Sequence, residues 1–379
     1  MASIYIHIPF CKQACHYCDF HFSTSLKHKD QLINAIGQEL ILRKEELKQP
    51  VENIYFGGGT PSLLSEQDLD SIFNTIYKHF KVDKHPEITL EANPDDISIQ
   101  LLKTLKQQGI NRLSLGVQSF FEKDLKQMNR AHNANEAKTS IKLMKDYFDN
   151  YSIDLIYGMP EMSLQNWQAN LQTALDFDVP HLSCYALTVE PDTALQKFIE
   201  KKIIPPVDDE QSATHFDELY QTLTSRGYEH YEFSNFGKPG YFSQNNLAYW
   251  TGKAYLGVGP SAHSYNGYDK RFWNIKNNIK YIKAIEKGEL PITSEHLSKT
   301  DRYNEYIMTR LRTQSGVDLD EIQSFFGLNY LDYLMLQAQP HLIENNIDIF
   351  DNKLKITSKA KFLSDGIVAD LFKIEFEKT

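Results

Sequence analysis

Short runs of β-branched and aromatic residues alternate along the chain with longer stretches whose apolar positions recur at helical spacing. The short runs predict six strands, at residues 4–8, 51–56, 88–91, 112–117, 152–156 and 181–187. The longer stretches predict helices at residues 30–47, 98–108, 135–148 and 163–177, and one more that begins after Ser65. This alternation predicts a parallel sheet with helical crossovers, and periodicity alone does not choose between a barrel and a doubly wound sheet.

The character of the sequence changes after about residue 235. Residues 1–235 carry the alternating pattern, whereas residues 236–297 are rich in Gly, Asn, Ser and aromatic side chains. We expect this second part to be a loop-rich connecting region. From residue 298 onwards the pattern predicts helices at 318–326 and 331–344 and a hairpin at 347–356, with its turn at Asp351-Asn352. Residues 298–379 are therefore expected to form an α+β winged-helix-like domain.

Composition narrows the classes of function. Forty basic and fifty acidic side chains give a net charge of −10, which argues against nucleic acid as a partner. The apolar runs are too short to predict an integral membrane segment, and the first residues carry no export signal. Because three of the four cysteines cluster without an even disulfide framework, we expect a cytoplasmic location.

The three clustered cysteines are the main chemical signal. Cys11, Cys15 and Cys18 are spaced Cys-x3-Cys-x2-Cys directly after the first predicted strand. A structural zinc site needs four protein ligands, and a fully protein-ligated iron–sulfur cubane takes four thiolates. Three thiolates hold three corners of a [4Fe–4S] cluster and leave one iron open to a small chelating molecule. Cys184 lies in the middle of an apolar run and is interpreted as a core residue.

Glycine and polar residues follow the other predicted strands. Gly57-Gly58-Gly59-Thr60-Pro61 comes directly after a strand, and consecutive glycines let the backbone approach a ligand closely. The segment lacks the Gly-Lys-Ser/Thr ending of a phosphate loop. Glu91 and Gln118 stand at strand ends, Asp154 lies within a strand, and Arg130 precedes a predicted helix. A carboxylate at such a position could bind ribose hydroxyls, and an arginine could pair with a ligand carboxylate.

The segment IYIHIPFCKQACHYCDF resembles the cluster-binding loop of radical S-adenosylmethionine (SAM) proteins. The resemblance implies a partial (β/α)6 barrel of the TIM type, open on one side. It implies a [4Fe–4S] cluster held by Cys11, Cys15 and Cys18, with the methionyl amine and carboxylate of SAM on the open iron. The glycine segment resembles the family's SAM-binding motif, which implies that Gly58, Gly59 and Thr60 contact the methionine part.

The segments GVQSF, DLIYGMP, YALTVEPDT, YEFSNF and LGVGPSAHSY extend the resemblance over nearly the whole chain, to the oxygen-independent coproporphyrinogen oxidase family. That family's pattern implies further SAM contacts, at Tyr5, Tyr17, Glu91, Gln118, Arg130 and Asp154. The oxidase itself has an N-terminal arm and a fourth cysteine two positions after the third. Here Cys11 stands near the start of the sequence, and the position two past Cys18 is Phe20.

The segment HYCDF instead resembles the heme-chaperone branch of the family, the HemW type. This branch implies heme as a transiently bound cargo, an apo-hemoprotein client and an electron donor. Two alternatives stay open: oxidative decarboxylation of coproporphyrinogen III by a 5′-deoxyadenosyl radical, and a radical SAM reaction on another substrate. Oxidase activity is not expected.

The same branch carries a His-Asn-x-x-Tyr-Trp motif that is linked to heme. The matching run begins with Asn245 at the histidine position, and an amide is a poorer iron ligand than an imidazole. His230 and His263 are alternative ligands, although each is more readily interpreted as a hydrogen-bonded core or loop residue. Tyr249 and Trp250 could stack on a macrocycle or serve in packing. We expect the segment 236–268 to cover the open side of the barrel and clamp a planar ligand.

Overall fold

The computed structural model describes residues 2–374. Strands and helices alternate over its first 225 residues, as the sequence predicts. The strands are β1 (Ala2–Ile8), β2 (Val51–Gly58), β3 (Val82–Ala92), β4 (Arg112–Gln118), β5 (Tyr151–Tyr157) and β6 (His181–Ala186). The helices are α1 (Lys29–Leu42), α2 (Glu66–His79), α3 (Ile99–Gln107), α4 (Glu122–Gln127), α5 (Ala134–Lys145), α6 (Leu164–Asp176), α7 (Ala194–Glu200) and α8 (Asp209–Ser225).

Strands β1 to β6 lie side by side in chain order, and each pair of neighbours is parallel. The helices cover the outside, where their apolar faces join the strands in one core. All six carboxyl ends therefore meet along one edge, and the partial barrel predicted from the family resemblance is confirmed. Along each strand alternate residues point into the barrel, and polar side chains occupy many of these inward positions.

Local signals predicted several boundaries correctly. Ser65 caps α2 in a capping box with Asp68, and Gly109, with a φ of 86°, follows the end of α3. Strand β3 begins at Val82 and is therefore longer than the predicted 88–91. A bulge between Val82 and Glu87 interrupts its pairing with β2 over the polar segment 83–86. Helix α1 ends at Leu42 instead of 47.

Residues 236–297 differ from the expected loop-rich connection. Two short strands lie before this region and at its start, β7 (Glu229–Glu232) and β8 (Asn235–Gly237). The region then forms α9 (Gln244–Trp250), β9 (Ala254–Val258), β10 (His263–Tyr265), β11 (Lys270–Asn274), α10 (Asn278–Glu286) and β12 (Ile292–His296). Strand β9 pairs in parallel with β1, and β10 to β12 extend the sheet beyond it. Leu256 and Val258 of β9 and Tyr281 of α10 belong to the barrel core. The region is thus part of the barrel, and its short, Gly- and Asn-rich strands carry little local signal.

A buried ionic network ties this extension to α1. The Arg43 guanidinium donates to Glu39 Oε1 at 2.9 Å and to Gly257 O at 2.9 Å. Asn274 Nδ2 also donates to Glu39 Oε1, at 2.7 Å, and the Tyr281 hydroxyl donates to Oε2 at 2.7 Å. Glu39 and Arg43 are only 0% and 1% exposed, so the carboxylate is satisfied entirely by protein donors.

The last part of the described chain has an apolar core of its own. Its elements are α11 (Lys299–Leu311), β13 (Val317–Asp318), α12 (Leu319–Phe326), α13 (Leu328–Ile343), β14 (Ile347–Phe350), β15 (Lys353–Ile356) and α14 (Ser364–Asp370). Asp351 and Asn352 both have positive φ, as a two-residue turn of the predicted β14–β15 hairpin requires. Among residues 2–374, no helix is long and apolar enough to cross a membrane.

Candidate functional site

The loop after β1 carries Cys11, Cys15 and Cys18, and main-chain hydrogen bonds fix its base. The Cys11 N–H donates to Ser23 O at 3.0 Å, and the Ser23 N–H donates to Pro9 O at 2.8 Å. The loop therefore returns to its own start, and its three cysteines stand above the carboxyl end of β1.

The segment after α4 holds the far side of this loop. Asn129 Nδ2 donates to Ala14 O at 2.7 Å, and Gln13 Nε2 donates to Asn129 Oδ1 at 2.8 Å. The His16 N–H donates to Met128 O at 3.1 Å. Residues more than 100 positions apart in sequence thus fix the path between the first and last cysteines.

The three thiols are free and partly exposed. Burial raises the pKa of Cys18 to about 11, and the nearby Cys15 and Cys11 thiolates also raise it. Burial likewise raises the pKa of Cys11. The three neighbouring thiols form a donor set that iron would stabilise as thiolates.

The donor set fits a cluster better than it fits one ion. Among residues 2–374, no three His, Cys, Asp or Glu side chains are grouped closely enough to hold a single metal ion. In a [4Fe–4S] cluster each thiolate binds a different iron, so the ligands stand further apart. Cys11, Cys15 and Cys18 are the side chains that would hold such a cluster.

The glycine segment lies directly beside the cysteine loop. The Gly59 N–H donates to Ile8 O at 2.9 Å, and the Thr60 N–H donates to Phe10 O at 2.6 Å. A Cβ on Gly59 would lie 2.7 Å from both acceptor oxygens, so only glycine fits there. Gly58 has a φ of 103°, which favours glycine. The glycine segment thus places main-chain atoms that no side chain covers next to the thiols.

Two partly buried carboxyl groups, those of Glu91 and Asp154, line the interior of the barrel. The Tyr55 hydroxyl donates to Glu91 Oε1 at 2.8 Å, and the Gly58 N–H donates to Oε2 at 3.1 Å. Burial raises the pKa of Glu91 to about 7, and the charge of Asp154 also raises it. Burial raises the pKa of Asp154 to about 6, although Ser114 Oγ donates to its Oδ1 at 3.3 Å. A positively charged ligand here would favour the ionised form of both groups.

Arg130 connects these groups to the cysteine loop. Its guanidinium donates to Asn93 Oδ1 at 2.6 Å, to Gly116 O at 2.8 Å and to Cys15 Sγ at 3.2 Å. Its Nε is buried and has no hydrogen-bond partner among residues 2–374. Gln118 ends β4 beside it, buried and with a φ of 67°.

The two tyrosines implicated by the resemblance lie at the same edge. The ring of Tyr5 stacks on Tyr55 at 6.0 Å, and its hydroxyl shares a hydrogen bond with His7 Nδ1 at 3.2 Å. Tyr17 packs against the core, with Arg130 as its nearest charged neighbour. The structure therefore brings every predicted site residue to one edge. We call this set the carboxyl-edge site: Tyr5, Cys11, Cys15, Tyr17, Cys18, Gly58, Gly59, Thr60, Glu91, Gln118, Arg130 and Asp154.

The sequence analysis missed two side chains at this edge. His7 contacts Tyr5, and Asn93 Nδ2 donates to Thr60 Oγ1 at 3.0 Å while its Oδ1 accepts from Arg130. Strand alternation was the available signal, because His7 is two residues after Tyr5, and Asn93 is two residues after Glu91.

The run that matches the family's heme motif lies at the opposite end of the barrel. Helix α9 immediately precedes β9, whose Ala254 pairs with Ala2 at the amino end of β1. The main-chain N–H groups of Gln244 and Asn245 donate to Glu87 Oε1, at 2.9 and 3.4 Å. The segment runs from β8, which pairs with β6, to β9, which pairs with β1, and α9 between them lies at the amino end of the barrel. The expected clamp on a planar ligand stays a prediction.

The motif side chains have packing roles here. Asn245 is 4% exposed, and its Oδ1 has no hydrogen-bond partner in the described part of the chain. Tyr249 packs edge-on against Tyr255 at 4.6 Å, and the Trp250 side chain hydrogen bonds with Glu232. A heme iron could reach residue 245 only after α9 had moved.

The two alternative histidines differ in availability. His230 is buried, and both ring nitrogens are engaged, with Phe233 O at 3.0 Å and Lys361 Nζ at 2.7 Å. His263 is exposed and stacks on Trp273 at 6.0 Å. Of the two histidines, His263 is the accessible one.

Cys184 is buried in β6, as predicted, and Phe20 is 66% exposed beside the cysteine loop.

Comparisons with known proteins show which family the chain belongs to. Residues 5–174 match the family model described as the Radical SAM superfamily. The chain is 34% identical to the heme chaperone HemW of Bacillus subtilis (strain 168) over 97% of this chain and 98% of that protein. It is also 34% identical to the heme chaperone HemW of Escherichia coli (strain K12), over 86% of each chain.

Among solved structures, the chain is similar to the coproporphyrinogen III oxidase HemN of Escherichia coli, described there as a radical SAM enzyme. The TM-score is 0.85 at 24% identity, over 98% of this chain and 90% of that chain. This likeness establishes the fold.

Proposed function

The chain belongs to the HemW family of radical SAM proteins, and from this premise we propose that it is a heme chaperone. It binds a [4Fe–4S] cluster and SAM at the carboxyl-edge site, holds heme transiently and passes it to an apo-hemoprotein. The observation that carries this proposal is the 34% identity to a curated heme chaperone along almost the full length of both chains.

In this proposal each part of the carboxyl-edge site has a separate task. Cys11, Cys15 and Cys18 hold three irons. When bound, the cluster would supply an open iron that the methionyl amine and carboxylate of SAM can chelate, and it could transfer an electron to SAM. The backbone at Gly58 and Gly59 accommodates the methionine part, and Glu91 accepts hydrogen bonds from its amine. Arg130 donates to its carboxylate. Gln118, Asp154 and the two tyrosines surround the rest of the molecule.

A parallel assay of two activities tests the proposed function. We expect the full chain, reconstituted with iron and sulfide under anaerobic conditions, to bind heme in a spectroscopic titration. With SAM, a reductant and coproporphyrinogen III, we expect no protoporphyrinogen IX above background, because a SAM-binding barrel does not by itself define a substrate. Steady formation of protoporphyrinogen IX would favour the oxidase alternative, and absence of heme binding would remove the chaperone role.

SAM affinity is expected to fall in Arg130→Ala. The substitution removes a partly buried cation that would bind the SAM carboxylate, and its loss costs about 1.5–3 kcal/mol, or tenfold and more in affinity. Glu91→Ala is expected to weaken binding in the same way. Equilibrium binding of SAM to the cluster-loaded protein measures both, with Lys123→Ala as a control because its side chain is 63% exposed. Unchanged affinity in both site variants would show that SAM binds elsewhere.

Heme affinity is expected to rise in Asn245→His, with a change in the Soret spectrum. The imidazole adds an iron bond that the amide does not provide. Since Asn245 is 4% exposed, the gain also requires α9 to open. Asn246→His, in the same helix, is the matched control and should leave the affinity unchanged. Equal spectra for wild type and Asn245→His would show that the iron does not contact this position.

The ligand in the wild-type protein is tested separately. If His263 ligates the iron, His263→Ala abolishes the wild-type Soret shift, whereas His296→Ala leaves it unchanged. The client, the electron donor and the cytoplasmic location remain predictions from the family resemblance.

A further inference from the structure

A small pocket of about 150 Å³ lies between the barrel and the C-terminal domain, away from the carboxyl-edge site. The barrel contributes His230 of β7 and Phe233 after it. The C-terminal domain contributes the turn after α11, residues of β15, Lys361 and the first residue of α14. Its polar lining includes His230, Arg312, Gln314, Lys355, Lys361 and Ser364. We call this the junction pocket.

Positive charge dominates the junction pocket. Arg312 pairs with Asp365 at 2.5 Å, but among residues 2–374 neither Lys355 nor Lys361 has a carboxylate within 4.0 Å. Two further acidic groups lie nearby: Asp348 is the cross-strand partner of Lys355, and Glu232 is a charged neighbour of Arg312. Burial raises the pKa of Glu232 to about 7, which reduces its negative charge at neutral pH. The two lysines therefore lack a close counter-charge.

The surroundings of Lys361 are neutral. Its Nζ donates to His230 Nδ1 at 2.7 Å and lies 4.8 Å from the centroid of the Tyr220 ring. Because the other nitrogen of His230 contacts the carbonyl oxygen of Phe233, it carries the proton, and Nδ1 accepts. Burial lowers the pKa of His230 to about 3 and that of Lys361 to about 8. An ammonium that is partly buried among neutral partners is costly unless an anion joins it.

Ser364 provides an independent observation. The residue is 2% exposed, and its hydroxyl has no hydrogen-bond partner in the described part of the chain. Buried hydroxyl groups in native proteins nearly always have a partner, either in the protein or in a bound molecule. Ser364 is one of the residues that line the junction pocket, together with Lys355 and Lys361.

We propose that the junction pocket is an oxyanion site that takes one phosphate group, bound by Lys355, Lys361 and the Ser364 hydroxyl. A phosphate dianion matches two cationic donors and offers several acceptor oxygens. The small volume excludes a larger ligand from the pocket itself, so an attached ester group would extend into solvent. His230 belongs to the barrel, and the two lysines belong to the C-terminal domain. The bound anion therefore stabilises the contact between the barrel and the C-terminal domain.

Calorimetric titration of the full chain with inorganic phosphate, at ionic strength balanced with sodium chloride, tests the proposal. We expect one saturable site and a rise in the unfolding temperature. Lys361→Gln and Lys355→Gln should each weaken binding about tenfold or more. The matched control is Lys359→Gln, because Lys359 lies in the same segment but is exposed and outside the pocket. Its affinity should equal that of the wild type.

A second arm distinguishes the source of the phosphate. Tighter binding of a nucleoside monophosphate than of inorganic phosphate would assign the site to a phosphate ester, and equal affinity would assign it to free phosphate. Absence of saturable binding of either probe to the wild type would overturn the proposal. If Lys361→Gln does not fold, Lys355→Gln carries the test alone, and wild-type affinity in that variant would equally overturn it.

Discussion

Replacing any one of Cys11, Cys15 and Cys18 by serine is expected to remove the iron–sulfur cluster almost completely. Three thiolates are the minimum for three protein-held irons, and among residues 2–374 the remaining cysteine, Cys184, is buried in β6. A serine hydroxyl does not ionise near neutral pH and is a poor substitute for a soft thiolate ligand. Iron and acid-labile sulfide per chain, measured after anaerobic reconstitution, should fall to near zero in each variant.

Cys184→Ala is the matched control for this prediction. Alanine keeps the site apolar, so the variant should fold and retain the full iron content. A complete cluster in Cys15→Ser, or loss of the cluster in Cys184→Ala, would contradict the assignment of the three loop cysteines. Far-ultraviolet circular dichroism of every variant separates loss of the cluster from loss of the fold.

Glu39→Ala is expected to lower the free energy of unfolding by roughly 3–5 kcal/mol, because it removes the buried carboxylate that pairs with Arg43 and leaves the partly exposed Glu46 opposite that guanidinium. The carboxylate also accepts from the Gly259 N–H at 2.8 Å and from Tyr281, so several donors lose their acceptor together. Urea unfolding measures the loss. In Glu39→Ala, hydrogen exchange should report faster opening of β9 to β11 than of β2 to β5, because the buried network around Glu39 joins β9 to β11 to α1.

Glu46→Ala is the control, since Glu46 pairs with the same arginine at 2.8 Å but has a 37% exposed side chain. An exposed partner of this kind contributes about 0–1 kcal/mol. Equal losses of stability in Glu39→Ala and Glu46→Ala would show that the buried network does not hold the extension of the barrel.

The parts of the fold that the sequence predicted well are those with strong local signals. The run at 4–8 and the run at 112–117 are both continuous and apolar, and both are strands. Ser65 begins α2 through hydrogen bonds to a residue three positions away, and Gly109 follows the end of α3 with a positive φ. Where the local signal was weak, as in the polar segment 83–86 and the short strands after residue 235, the elements were missed or shortened.

The carboxyl-edge site was predicted as a set of residues, but without their contacts. The family pattern, together with the place of Glu91 at a strand end and of Arg130 before a predicted helix, named these two residues. They gave no indication that Asn93 would hold Arg130 at 2.6 Å or that Arg130 would donate to Cys15. Such contacts depend on the relative positions of neighbouring strands and of the loop that crosses them, which no single segment encodes.

By itself, the sequence determined the spacing of the three loop cysteines, the six alternating strand–helix units and the C-terminal hairpin, because each of these is a feature of a short stretch of chain. Only the tertiary structure decided that residues 236–297 complete the barrel and that α9 closes its amino end. The contact between Asn274 and Glu39 spans 235 residues, and its geometry exists only after β9 has paired with β1. The placement of Asn245 and the lysines of the junction pocket depends in the same way on packing between distant segments.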